Sequence, residues 1–95
     1  MAVGASLHLG ALRRGLEVAQ ENLASGVVTI ADVLSSHDPI LQYLYVVKAV
    51  ENVPGVGRVR ARAILAELGI EEHAHCGDLD ASARREILDR IGRRP

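Results

Sequence analysis

Aromatic residues are almost absent from this sequence, which has two tyrosines but no phenylalanine or tryptophan among its 95 residues. Even so, 48% of the residues are hydrophobic, a fraction too high for a disordered chain. The core must therefore be built from leucine, isoleucine, valine and alanine. A chain of this length has room for one such core, so we expect a single domain over residues 1–95.

Cysteine and long apolar runs are also scarce. A single cysteine excludes an internal disulfide, and no apolar run approaches the roughly 20 residues that cross a bilayer. Arg13 and Arg14 follow the first apolar stretch rather than precede it, which is the wrong order for a secretory signal. We therefore expect a cytoplasmic protein with no membrane partner.

Net charge is small as well, and a formal value of −1 by itself argues against a nucleic-acid partner. The charges are segregated, however. Residues 54–66 contain three arginines and no acid, residues 67–80 contain five acids and no lysine or arginine, and residues 81–95 contain five arginines and two acids. Because local basic patches set a binding footprint, residues 54–66 are the segment to examine for an anionic partner.

The spacing of the apolar residues predicts an all-α fold of five helices. An apolar stripe with three- and four-residue steps predicts a first helix over about 5–24, which Gly26 would cap. Thr29 and Asp32 fit a capping box at the start of a second helix over 30–36.

The third helix should begin at Asp38-Pro39, because an N-cap acid and a proline at the first helical position favour a helix start. Residues 40–50 are apolar almost all round, which predicts a buried helix, although their valines make a strand the alternative. Gly69 should end a fourth helix over 58–68. Asp80 should cap a fifth helix over 81–91, and the third and fourth should form the centre of the domain.

The turn Pro54-Gly55-Val56-Gly57 is the most informative segment. Two glycines two residues apart permit positive φ values and let another backbone come close. Their amides and the first amides of the next helix can form a concave cluster of N–H donors, which is a seat for a phosphate. The alternative is an ordinary helix corner in which proline and glycine serve geometry only.

Three arginines, Arg58, Arg60 and Arg62, follow this turn at the start of the fourth helix, where cations oppose the helix dipole. An external anion would resolve that conflict. At about 100° per residue, Arg58 and Arg62 fall about 40° apart, whereas Arg60 points to nearly the opposite side. We therefore expect Arg58 and Arg62 to act together, and we rank Arg60 behind them as a contact.

These residues resemble a helix-hairpin-helix phosphate-binding turn, and the wider stretch over about 22–91 resembles the actinobacterial, mycobacterial-type integration host factor family. The matching pieces are residues 29–34, 46–51, 54–61 and 68–70, and a closing helix after residue 79. The resemblance implies a helix-two-turns-helix module in a nucleoid-associated, architectural protein. It implies binding to duplex DNA through the sugar-phosphate backbone, and it carries over Pro54, Gly55, Val56, Gly57, Arg58 and Arg60.

Two stretches depart from the family pattern. The family is basic after the fourth helix, where this chain has residues 71–78, and before the apolar run of the third, where it has residues 42–45. Losing those cations should weaken DNA affinity and its salt dependence. The alternative function is a regulatory adaptor that keeps the module and binds a protein partner, and RNA binding comes third.

Residues 71–78 also contain potential metal ligands, namely His73, His75, Cys76 and Asp78. A closed zinc site usually needs a second pair of ligands on a separate element, and the sequence offers none. We expect an exposed loop without a metal, and an acid-raised thiol pKa that makes Cys76 a poor nucleophile. We expect no catalytic residue, cofactor or small-molecule substrate, and hence no enzyme.

Two tyrosines and two C-terminal arginines also have predicted positions. Tyr43 and Tyr45, two residues apart on a helix, should point to different faces and pack on the core with their hydroxyls at its rim. The C-terminal Arg93 and Arg94 are placed to lie along a phosphate backbone, although such residues more often serve only to solvate a surface.

Overall fold

The computed structural model describes residues 2–92, with the side chains of residues 10–92. Over this range the chain forms six α-helices: α1 (Ala2–Ser25), α2 (Ile30–Ser35), α3 (Pro39–Tyr43), α4 (Val46–Glu51), α5 (Gly57–Leu68) and α6 (Ala81–Gly92). A short 3₁₀ turn, Cys76–Asp78, lies between α5 and α6. No strand forms within residues 2–92, which confirms the all-α expectation. None of these helices is long and apolar enough to span a bilayer.

Side-chain caps start α2, α3 and α6 as the sequence predicts. The Asp32 amide donates to Thr29 Oγ1 at 3.1 Å and the Thr29 amide donates to the Asp32 carboxylate at 3.2 Å, which completes the capping box. The Asp38 carboxylate accepts from the Ile40 amide at 2.9 Å, and the Asp80 carboxylate accepts from the Ala83 amide at 2.7 Å. Each such cap stabilises its helix by about 1 kcal/mol.

The prediction of one continuous third helix is wrong. The chain forms two helices there, α3 and α4, so residues 2–92 contain six α-helices rather than five. Leu44 and Tyr45 are extended, with ψ angles of 134° and 137°. Hydrogen bonds with residues distant in sequence hold Leu44 and Tyr45 in this extended conformation. The Val46 amide donates to the Ala74 carbonyl at 2.7 Å and the Cys76 amide donates to the Leu44 carbonyl at 2.8 Å. These bonds flank an isolated antiparallel bridge between residues 45 and 75.

The centre of the fold is the pair α4 and α5. Four of the six residues of α4 are buried, whereas α3 has no buried residue. On the facing helix, α5 buries Ala61, Ile64 and Leu65. Other fully buried aliphatic side chains close the core around this pair, namely Leu23, Val33, Leu44 and Ile87. The core is therefore aliphatic, as the composition requires.

Residues 71–78 are not the plain exposed loop that we expected. The Cys76 side chain is 1% exposed and belongs to the core. A Cβ atom at Gly77 would lie 2.8 Å from the Cβ atom of Gln42, so only glycine lets the 3₁₀ turn pack this closely against α3. Burial raises the pKa of the Cys76 thiol to about 12. The sequence predicted that direction, but the main cause is desolvation rather than nearby acids.

Candidate nucleic-acid interface

The turn between α4 and α5 has the backbone conformation that its two glycines permit. Gly55 has a φ of 87° and Gly57 a φ of 76°, both in the left-handed region. A Cβ atom built at either position would meet no atom within 4 Å, so both α-carbons face open space. This part of the backbone is therefore accessible to a ligand.

Val56 fixes the turn to the core and leaves the amides of the two glycines unused. The Val56 side chain is 9% exposed, and the Val56 amide donates to the Val53 carbonyl at 3.0 Å. Pro54 lies exposed at the start of the turn. The amides of Gly55 and Gly57 have no hydrogen-bond acceptor within the described part of the chain. Two N–H donors are thus available to an external acceptor.

The arginines of α5 divide between two sides of the helix, as the helical spacing predicts. The Arg58 and Arg62 side chains are 67% and 53% exposed. Arg60 instead donates to the Arg90 carbonyl on α6 at 3.2 Å. Arg58 and Arg62 therefore share the outer surface of α5, whereas Arg60 joins α5 to α6.

Two glutamates contact these exposed arginines, and the sequence reasoning did not identify one of them, Glu51. Glu51 Oε2 lies 3.6 Å from Arg58 Nε, and Glu72 Oε2 lies 3.7 Å from Arg62 Nε. Glu51 also lies 3.4 Å from Lys48 Nζ, which adds a third exposed cation near the turn. The three-residue spacing of Lys48 and Glu51 on α4 was a signal for that pair. The contacts of Glu51 and Glu72 with α5 depend on the tertiary fold.

Small apolar residues flank the arginines on the exposed side of α5. The Val59 side chain is 85% exposed, and Ala63 and Ala66 are exposed as well. Their short side chains leave room for an extended ligand to approach the helix backbone between the arginines. The opposite flank, which contains Ile64 and Leu65, faces the core.

Tyr43 and Tyr45 do not point to different faces, because the chain is extended between α3 and α4. Both rings stack on His75, with centroid distances of 4.4 Å for Tyr43 and 5.1 Å for Tyr45. His73 contacts Tyr45 edge to face at 5.2 Å. Both tyrosines are largely exposed rather than packed on the core, at 51% and 42%.

The potential metal ligands of residues 71–78 point in different directions, because the loop packs against the core and against the two tyrosines. Cys76 points into the core, His75 stacks between the tyrosines, and His73 lies near Glu71 and Glu72. Among the described side chains, no group of three or more histidines, cysteines or acids is placed to hold a metal ion. Arg93 and Arg94 lie outside the described residues.

Comparison with known proteins shows the fold. No protein-family model matches the sequence, and no curated protein matches it at a significant level. Among solved structures, the chain is similar to sIHF bound to an 8-bp palindromic DNA, with a TM-score of 0.82 and 24% sequence identity. The match covers 90% of this chain and 98% of that chain. The chain therefore has the same all-α fold over nearly its whole described length.

Proposed function

We propose that this chain binds duplex DNA through the turn between α4 and α5, contacting the phosphate backbone without reading base sequence. The observation behind the proposal is the pair of accessible glycine amides, at Gly55 and Gly57, beside the exposed Arg58 and Arg62. Backbone N–H groups and guanidinium groups together form the usual recognition surface for phosphates. The likeness in fold to a protein solved with DNA supports DNA as the polyanion.

Each residue of the site has its own part in this proposal. Pro54 and Val56 set the conformation of the turn, and the amides of Gly55 and Gly57 donate to one phosphate. Arg58 and Arg62 neutralise the neighbouring phosphates. Arg60, which donates to the Arg90 carbonyl, supports the site by holding α6 against α5. The wider role is that of a nucleoid-associated, architectural protein related to the integration host factors, without a catalytic step or a cofactor.

The glutamates near Arg58 and Arg62 do not prevent such binding. Their ion pairs are long, 3.6 and 3.7 Å, and they involve largely exposed arginines. Exposed pairs of this kind contribute about 0–1 kcal/mol each. A phosphate can therefore replace either glutamate at little cost, although the displaced carboxylate lowers the net affinity.

A second candidate function, a protein-binding adaptor, is favoured by the same ion pairs. Arg58 and Arg62 each contact a glutamate, so the positive potential of this face is reduced. An adaptor would keep the module and bind DNA weakly or not at all. The salt dependence of DNA binding separates the two functions.

The double substitution Arg58→Ala/Arg62→Ala tests the DNA proposal. Each lost phosphate contact should lower the slope of log K against log salt by about 0.9, so the slope should fall by nearly two units. Affinity should weaken similarly on unrelated duplexes, measured by fluorescence anisotropy at several salt concentrations. Arg13→Ala/Arg14→Ala, which removes two exposed arginines of α1, is the matched control and should lose less DNA affinity than the α5 variant. Unchanged DNA affinity in the first variant would favour the adaptor.

A further inference from the structure

Tyr43, His75 and Tyr45 form a three-ring stack where α3, α4 and the 3₁₀ turn meet. The planes of Tyr43 and His75 are inclined by 22°, and those of His75 and Tyr45 by 16°. Tyr43 remains 51% exposed at one end of this stack. The fold thus presents a flat aromatic surface that the DNA site does not use.

A hollow of about 270 Å³ lies beside this stack, lined by Pro39, Gln42, Tyr43, His75, Gly77 and Asp78. Asp78 is the acid in this lining, and no lysine or arginine contributes to it. The Asp78 carboxylate is exposed and has no hydrogen-bond or ion-pair partner within residues 2–92. An exposed tyrosine and an aspartate with an unpaired carboxylate therefore line the same hollow.

Backbone contacts hold the walls of the hollow in place. The Cys76 amide donates to the Leu44 carbonyl at 2.8 Å, and His75 Nδ1 donates to the Tyr43 carbonyl. Gly77 packs against Gln42 closely enough to exclude any side chain. A ligand would therefore meet a preformed surface and would not have to order these residues.

We propose that this hollow binds the arginine side chain of a basic protein segment. A guanidinium group stacks on aromatic rings and forms paired hydrogen bonds with a carboxylate, so Tyr43 and Asp78 together match its two requirements. The hollow has complementary charge, since Asp78 is the acid in its lining and no lysine or arginine contributes to it. The same negative charge opposes the phosphate of a nucleotide, which is why a protein segment is the better fit.

Titration of the ¹⁵N-labelled chain with the peptide acetyl-Gly-Arg-Gly-amide, followed by NMR, tests this site. The expected result is a saturable shift of the amides around Tyr43, Gly77 and Asp78. A peptide with citrulline, which has the shape of arginine but no charge, should bind about fivefold more weakly, because one exposed charge pair is lost. Asp78→Asn should weaken binding of the arginine peptide by a similar factor.

Matched variants separate this site from general attraction to acids. Glu21→Gln removes an exposed acid of α1 and should leave peptide binding unchanged. Tyr43→Phe keeps the ring and should bind normally, whereas Tyr43→Ala should bind more weakly. The proposal is overturned if Asp78→Asn and Glu21→Gln weaken binding equally, or if the shifts do not saturate. It is also overturned if guanosine monophosphate shifts the same amides more strongly than the peptide, which would indicate a nucleotide site.

Discussion

Cys76 carries a nucleophilic group that the fold makes unreactive. Its side chain is 1% exposed, and burial raises the pKa of the thiol to about 12. Because the thiolate is the reactive form, a buried thiol at neutral pH neither attacks an electrophile nor binds a metal ion readily. In this fold the residue acts as a small apolar side chain under the 3₁₀ turn.

The raised pKa of Cys76 predicts a loss of stability in alkaline solution. Well below pH 9 the thiol is protonated in both the folded and the unfolded chain, so it does not affect the free energy of unfolding. Between pH 9 and 12 only the unfolded chain ionises, so stability falls as pH rises. Between pH 8 and 10, urea unfolding should show the wild type losing about 1.4 kcal/mol more than Cys76→Ala. Rapid alkylation of the native thiol at pH 8 would contradict this burial.

Glu51 shows what residue-level reasoning misses at the candidate site. Its side chain is 12% exposed and contacts cations from two elements, Lys48 on α4 and Arg58 on α5. The acid-free run of residues 54–66 suggested that the arginines lacked a balancing charge. The balance comes instead from residues outside that run, Glu51 and Glu72, through the tertiary fold.

At the scale of the element, the turn between α4 and α5 depends on glycine at position 57. An L-residue with positive φ is destabilised by roughly 1–2 kcal/mol, and asparagine tolerates that region better than alanine. Because no atom lies within 4 Å of a Cβ atom built there, the cost of Gly57→Ala is conformational and not steric. The methyl group would point into the open space that we assign to a phosphate, so DNA affinity should fall as well.

Gly26→Ala is the matched control for Gly57→Ala. Gly26 has a similar φ of 81° and equally open surroundings, but it lies at the end of α1. Thermal unfolding should show comparable losses for the two variants, with Gly57→Asn losing less. DNA binding should fall only in the Gly57 variants. Equal DNA affinity in all of them would remove the turn from the interface.

Helix positions were predictable wherever local chemistry decides them. The capping box of Thr29, the cap of Asp38 and the left-handed Gly69 all depend on neighbours within a few residues, and each appears as expected. The break between α3 and α4 was not predictable in this way. It depends on hydrogen bonds that Val46 and Leu44 form with Ala74 and Cys76, which lie some 30 positions further along the chain.

The same break explains the misplaced tyrosines. On one helix, residues two apart point about 160° away from each other, whereas in an extended segment they share a side. The local geometry of the turn, by contrast, followed from its two glycines. The orientation of Arg58, Arg60 and Arg62 followed from helical spacing alone, because α5 is an uninterrupted helix.

At the scale of the whole molecule, charge is arranged so that acids from other elements oppose the arginines of α5. If a phosphate must displace Glu51 and Glu72, removing these carboxylates should strengthen DNA binding. The variant Glu51→Gln/Glu72→Gln keeps similar side-chain shapes and frees Arg58 and Arg62. Because each of the two exposed pairs contributes up to about 1 kcal/mol, affinity at low salt should rise by up to about thirtyfold.

Glu17→Gln/Glu21→Gln is the control for this last prediction, because it changes net charge by the same two units through exposed acids on α1. This control should gain only a little DNA affinity, since Glu17 and Glu21 have no contact with the α5 arginines among the described side chains. The advantage of the Glu51/Glu72 variant should shrink as salt is raised, because screening weakens both the ion pairs and the phosphate contacts. Equal gains in the two variants would mean that net charge, and not release of Arg58 and Arg62, controls the affinity.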